Sequence, residues 1–492
     1  MSLSQRVRSG VSWSAASILL SYALGFSRSV ILARILTPGD FGVFGMALTV
    51  TAALTAVTNV GLDRAIIAQS FTSQEELRAH LNTLWSVELV GKAALSLLII
   101  ASVYPAASFY GQEQLYVILP VLSLMPLIDG LKNIGLAMMS KQLDFAKVFR
   151  YEQAANLLSL GVSVGLALWL RNVWALVLTQ LASALIKVCL SYYFQSYRPR
   201  FSFDKSAVRR AFSFGQHAMI ISVTVYITTM ADNVMVGRVL GASVLGVYAL
   251  AYNLANLPVG AIADVLSKVT FPAYAELATQ GLDLVEKAFA KVLAVSCLLL
   301  TISAALTFLL ADEIIYVLYG DKWDAAGPIL QILTLVGLSR GMVLIISTLH
   351  VGLDRPAQVS RGKILEAAVF LTILYPLTLH YGPAGAAWAG VVTYNIALIH
   401  RLWSIKYLFP RAFTSILFTF ASIMLAGVAG VILGWLALSA VEANILRFVI
   451  GGAVSTGMTI MATLLVSPFL RHKAIDALRE LIHWIPVRRD AC

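Results

Sequence analysis

Long apolar runs separated by short polar breaks recur along almost the whole chain. In order they predict helices near residues 11–35, 40–62, 80–103, 115–139, 148–170 and 172–195. After a basic stretch come 211–237, 242–267, 287–310, 326–350, 362–380, 384–406, 412–437 and 444–467. The runs are apolar throughout, without the period-two alternation of a barrel strand. Each approaches the roughly 20 residues that a helix needs to cross a hydrocarbon layer. Helices satisfy their own backbone groups in such a solvent, so the pattern predicts an all-α polytopic membrane protein of about fourteen spans.

Composition agrees. Of the 492 residues 59% are hydrophobic and only 12% charged, and the mean hydropathy is +0.82. A soluble domain carries about 25% charged residues. The net charge of +11 would suit nucleic acid if it formed one face, but Arg and Lys fall in alternate loops. With the N-terminus inside, the inner loops and tails hold about 26 of the 36 Arg and Lys residues and the outer loops about five. Both termini are therefore expected in the cytoplasm, with nucleic acid excluded as a partner. Arg6 and Arg8 precede a run longer than a signal-peptide core and without a cleavage site, which predicts a retained first span. Cys189, Cys297 and Cys492 are too far apart for a disulfide framework or a metal site.

A repeat organises the chain. Residues 27–47, SRSVILARILTPGDFGVFGMA, return at 231–251 as ADNVMVGRVLGASVLGVYALA, without a gap. Val30, Arg34, Leu36, Gly42, Val43 and Ala47 meet Val234, Arg238, Leu240, Gly246, Val247 and Ala251. Each copy is the end of one helix, a break and the start of the next. Glu152 and Trp174 likewise recur as Glu366 and Trp388. Both halves start on the same side, so the repeats are parallel. The expected organisation is an N-terminal lobe of six helices over 1–196, a cytoplasmic basic linker over 197–210 and a second six-helix lobe over 211–408. Two added helices follow over 409–467, and a basic amphipathic tail with Trp484 over 468–492 is expected to lie on the inner membrane surface.

The stretches LARILTPGDFGVFGMALT, NVGLDRAII and ADNVMVGRVLGASVLGVYALAYNLANLP, with Glu152 and the WAL at Trp174–Leu176, resemble bacterial polysaccharide flippases. These form the polysaccharide-transporter branch, including O-antigen and exopolysaccharide flippases of the Wzx type, of the multidrug, oligosaccharidyl-lipid and polysaccharide exporter superfamily. The resemblance covers roughly residues 5–410. It implies two six-helix lobes in a V around a central cavity in the bacterial inner membrane. It also implies passage of an undecaprenyl-diphosphate-linked oligosaccharide from the cytoplasmic to the outer leaflet by alternating access coupled to an ion gradient. Polysaccharide polymerase and co-polymerase proteins are the partners that such a pathway suggests, beside membrane lipids.

Ionisable groups inside spans are costly unless paired or facing water, so each needs a reason. Glu88 and Lys92 are one turn apart in the third span, and Asp129 and Lys132 lie close together in the fourth. In antiparallel helices Glu88 should lie level with Lys132, and Lys92 with Asp129. Two readings stay open: a pair of interhelical ion pairs, or a polar cavity wall where a diphosphate competes for the lysines. Arg28 aligns in the repeat with Asp232, so the two could close the outer side across the cavity or find partners within their own lobes. Arg340 has no carboxylate one turn away on its own helix, and a guanidinium offers a fork of donors suited to phosphate. Arg28, Lys92, Lys132 and Arg340 are thus the candidate cations for the substrate. Lys187 is expected to snorkel towards headgroups. Glu152 and Glu366, near the starts of their helices, are read either as carboxylates stabilised by the helix dipole or as ion-coupling groups. Glu88 and Asp129 share the ion-coupling alternative. Trp174, Trp388 and Tyr381 read as interface anchors, and His217, His350 and His400 as headgroup-level residues. Pro120, Pro126, Pro258 and Pro376 lie in spans and are expected to kink them.

No catalytic motif, phosphate-binding glycine loop or metal-ligand cluster is present in the sequence. No cofactor is implied. The alternatives are a membrane-embedded glycan polymerase or ligase, or a drug exporter or peptidoglycan-precursor flippase of the same superfamily. The enzyme would need a large outer loop, whereas the longest outer break, 311–325, reads as a short turn-rich connector.

Overall fold

The structure, a computed structural model, describes residues 3–58, 73–142 and 144–438, and residue 457. Among the described residues every regular element is a helix. The first are α1 (Leu3–Ile35), α2 (Pro38–Thr58), α3 (Gln74–Ala101), α4 (Val103–Tyr110), α5 (Leu115–Leu122), α6 (Leu124–Gly130) and α7 (Leu136–Lys141). Then come α8 (Phe145–Leu170), α9 (Val173–Phe194), α10 (Lys205–Leu240), α11 (Ala242–Gln280) and α12 (Leu282–Leu309). The series ends with α13 (Ala311–Tyr319), a single 3-10 turn at Asp321–Trp323, α14 (Ala326–Gly352), α15 (Pro356–Leu408) and α16 (Phe413–Leu438).

Ten of these helices are long and apolar enough to cross a membrane. One of them, α15, is 53 residues long and is two helices joined at Gly382, whose φ of 61° and ψ of −142° no helix contains. It accounts for the expected spans 362–380 and 384–406. The fourteenth expected span, the tail with Trp484, Cys492 and the NVGLDRAII stretch lie outside the described residues.

The breaks have local causes. Thr37 and Asp40 form a reciprocal cap at the start of α2: Thr37 N donates to Asp40 Oδ2 and Asp40 N donates to Thr37 Oγ1. Pro38 then takes the first helical position, where its missing N–H costs nothing. Asp144 caps α8 by accepting from Lys147 N, and Asn172 caps α9 by accepting from Trp174 N.

Two expectations are corrected. The predicted helix 115–139 is broken into α5, α6 and α7, with a non-helical turn at 131–135. Pro120 and Pro126 remove two backbone donors within seven residues, and a proline ring also crowds the preceding turn. The connector 311–325 is the helix α13 followed by the 3-10 turn, and Trp323 is fully buried there. Its apolar residues had an inward face to fill.

By contacts the chain divides into two units, Met1–Leu250 with Leu371–Ala386, and Ala251–Phe370 with Ala387–Cys492. This division falls inside α11; within the first unit α10 packs on α2 and is joined to α9 by a short connecting stretch. Residues 195–204 alone are free of helix at that join. They are pinned along α3: Tyr197 Oη donates to Asn82 Oδ1, the same oxygen accepts from Arg200 N, and Ser202 N donates to Ser86 Oγ. Burial raises the pKa of Tyr197 against the opposite pull of Arg78, so the phenol remains a donor at neutral pH.

Inside the first unit the two repeat copies meet. A Cβ on Gly42 would lie 1.7 Å from Ala242 O, and one on Gly246 would lie 1.9 Å from Pro38 O. Ala242 is the repeat counterpart of Pro38, and Gly246 of Gly42. The two contacts are therefore the same contact made twice around a local pseudo-two-fold axis. Gly39 and its own counterpart Ser243 lie beside it, 3.5 Å from the Cβ position to Oγ. Below this seam Tyr226 Oη donates to Thr49 O, and Thr49 Oγ1 shares a 2.7 Å hydrogen bond with Tyr110 Oη.

The second unit has an apolar core. Val285, Phe289, Leu293 and Leu300 of α12 meet Met342, Ile346 and Leu349 of α14, and Ile416 and Ile423 of α16.

Candidate functional site

The first unit places three of the predicted charges together. Lys92 on α3 donates to Asp129 Oδ2 of α6 at 2.8 Å, and Lys132 Nζ lies 3.7 Å from Asp129 Oδ1. The expected pairing of Lys92 with Asp129 is present. The expected pairing of Lys132 with Glu88 is not. α6 ends at Gly130, so Lys132 sits in the turn beyond it and folds back on the carboxylate three residues earlier. Two ammonium groups therefore share one carboxylate, and each of the three side chains keeps between a quarter and two fifths of its surface exposed. Lys187 on α9 is exposed and lies within electrostatic reach of Asp129.

Arg28 is half-buried on α1. Asp232 is buried on α10, where Tyr248 Oη donates to Oδ2 at 2.9 Å and Asn233 N to Oδ1. The structure thus gives Asp232 a partner from the adjoining helix of its own repeat.

Glu152 is not in the first turn of its helix, where a dipole would act. It is two turns into α8 and accepts from Ser17 Oγ of α1. Beside it Gln153 Nε2 donates to Ser17 Oγ and Ser21 Oγ, and Asn156 Nδ2 donates to Ser21 Oγ. This polar ladder fastens α1 to α8. Serines within an apolar run gave too weak a signal to predict it.

Glu366 is likewise well inside α15 and fully buried. Lys363 donates to its Oε2, and Oε1 lies 3.7 Å from Nη2 of Arg401, itself only 1% exposed. Arg401 also donates to the carbonyls of Gln358 and Val359, which ties the two halves of α15 together at their open end. The repeat carried a signal for Arg401 that went unused: Lys187 stands as far before it as Glu152 before Glu366. His350 is corrected from a headgroup-level residue to a fully buried one. Its Nδ1 meets Ile346 O and its Nε2 meets Ser404 Oγ.

The second unit holds Arg340 on α14, where Nη1 donates to Tyr252 Oη at 2.8 Å and to Asn256 Oδ1 at 3.0 Å. Among the described residues no group of three metal-ligating side chains is close enough to hold an ion.

Helices long and apolar enough to cross a membrane, with ionisable side chains along them, define the class: a polytopic membrane fold. Its backbone is similar to that of the lipid II flippase MurJ in an inward closed conformation. That match has a TM-score of 0.73 at 14% identity, over 94% of this chain and 99% of the other. The chain belongs to the polysaccharide biosynthesis protein family, whose model matches residues 31–328. Among named relatives it is 26% identical to the lipopolysaccharide biosynthesis protein WzxC of Escherichia coli (strain K12), over 70% of this chain and 69% of WzxC. It is also 26% identical to the succinoglycan biosynthesis transport protein ExoT of Rhizobium meliloti (strain 1021), over 78% of this chain and 79% of ExoT.

Proposed function

We propose that this protein is a flippase that carries a lipid-linked oligosaccharide across the membrane for the synthesis of a cell-surface polysaccharide. It is a transporter and not a catalyst. Family membership, the likeness to the transport protein ExoT and the fold shared with a flippase support the class. The observation that carries the chemistry is the Lys92–Asp129–Lys132 group, where a lysine of α3 and a lysine of the turn after α6 share one carboxylate. Two ammonium groups at one partly exposed carboxylate are donors for which an anionic headgroup can compete.

The substrate is an undecaprenyl-diphosphate-linked repeat unit, moved from the cytoplasmic to the outer leaflet. Lys92, Lys132, Arg340 and Arg28 attract the diphosphate. Both termini are cytoplasmic, an ion gradient drives the cycle, and polymerase and co-polymerase proteins receive the product. Loop charge supports the orientation.

A deletion strain tests this reading. Lipid-linked repeat units are expected to accumulate, inaccessible to a reagent confined to the outer face. Accumulation on the outer face would instead favour a polymerase or ligase. Unchanged polysaccharide and no accumulation would overturn the proposal.

A further inference from the structure

We infer that Tyr252 and Asn256 are positioning residues that hold Arg340 in the orientation in which its guanidinium meets a diphosphate. This rests on the substrate class proposed above. The two side chains stand four residues apart on α11, one turn above one another, and both accept from the same terminal nitrogen of Arg340. Asn256 is itself oriented: its Nδ2 donates to the Tyr252 carbonyl at 2.8 Å, so its oxygen is the end turned to the arginine. A carbonyl can only accept, which fixes the amide this way round.

The chemistry of the acceptors is the second argument. A carboxylate in either position would neutralise the guanidinium and compete with an anionic ligand. A phenol and an amide set its direction without cancelling its charge. An arginine whose rotamer is fixed before the ligand arrives loses less freedom on binding.

The repeat supplies the third argument. The counterparts of Tyr252 and Asn256 in the first copy are Leu48 and Ala52. The helix break and its seam are thus built with apolar residues at these positions once, so the shared fold does not need the polar pair. It is an addition confined to the repeat that faces Arg340.

The test titrates the purified full-length chain in detergent with undecaprenyl diphosphate, and with undecaprenol as the uncharged control. Tyr252→Phe removes one hydroxyl, and Asn256→Leu keeps the volume and removes the acceptor. Each is expected to weaken diphosphate binding by about tenfold, the worth of a charge-assisted hydrogen bond. Undecaprenol binding and the melting midpoint should stay as in wild type. In an Arg340→Ala background neither change should weaken binding further, because the role acts through the arginine. If Asn256→Leu lowers the melting midpoint, Tyr252→Phe alone decides. Full additivity in that background overturns the positioning role. So does wild-type binding by Tyr252→Phe while Arg340→Ala is weakened, and Arg340 then keeps its own role. Wild-type binding by Arg340→Ala overturns the phosphate reading of Arg340 and the inference with it.

Discussion

The backbone contact at the seam between the repeats can be broken by one carbon atom. Gly42→Ala adds a methyl group whose carbon would sit 1.7 Å from Ala242 O. Carbon contacts are optimal near 3.5 Å, so the two helix starts must separate by about 1.5–2 Å. The obstacle is main chain, and no side-chain rotation relieves it. Overpacking of this kind costs roughly 1–3 kcal/mol, and a backbone clash belongs at the upper end. If the seam opens during the cycle, that cost falls only on conformations in which it is closed. A difference of about 3 kcal/mol shifts the closed-to-open ratio by about 150-fold. The assay is a disulfide between Gly39→Cys and Ser243→Cys, whose side chains meet at the axis, in a background without Cys189, Cys297 and Cys492. With Gly42 the pair should oxidise readily. With Gly42→Ala the oxidised fraction should collapse, and Gly246→Ala should behave alike because it meets the symmetric contact. Equal oxidation in all three proteins, with unchanged melting midpoints, would refute the claim that these glycines hold the closed seam.

Other consequences are more local. Glu366→Gln leaves Arg401 buried beside a neutral amide and should cost about 3 kcal/mol, read as a lower melting midpoint; Glu366→Leu combined with Arg401→Met should recover much of it. Lys92→Met should weaken undecaprenyl diphosphate binding about tenfold, while Asp129→Asn, which removes the competing carboxylate, should tighten it in the same titration. Asn82→Ala removes the acceptor shared by Tyr197 and Arg200, so amide exchange across residues 197–202 should quicken by about tenfold for each bond of about 1–1.5 kcal/mol lost.

Apolar periodicity and the repeat made most of this architecture legible in advance, because both are dictated by the solvent and by one plan used twice. What escaped depended on where helices fail. The break after Gly130 carries turn residues of its own, Lys132, Asn133 and Gly135, but the apolar residues on both sides of it read as one continuous span. That break sends Lys132 to Asp129 and not to Glu88. Glu366 was visible as a charge in a span, but its partner Arg401 is 35 residues on, across a hairpin that only packing closes. His350 looked peripheral because it follows a long apolar run, yet both ring nitrogens find partners inside.

Symmetry separates scaffold from function here. Where the copies agree, as at Gly42 and Gly246, the residue serves a contact that both must make. Where they disagree in chemistry, the fold is satisfied by the apolar version, and the polar version needs another cause. Tyr252 and Asn256 against Leu48 and Ala52 are such a disagreement. Lys92 and Lys132 are held by the carboxylate of Asp129, whereas Arg340 is met by a phenol and an amide. A diphosphate that reaches Lys92 or Lys132 must compete with a carboxylate, and one that reaches Arg340 Nη1 displaces the neutral acceptors Tyr252 and Asn256, so Asp129→Asn should change the salt dependence of binding more than Asn256→Leu does.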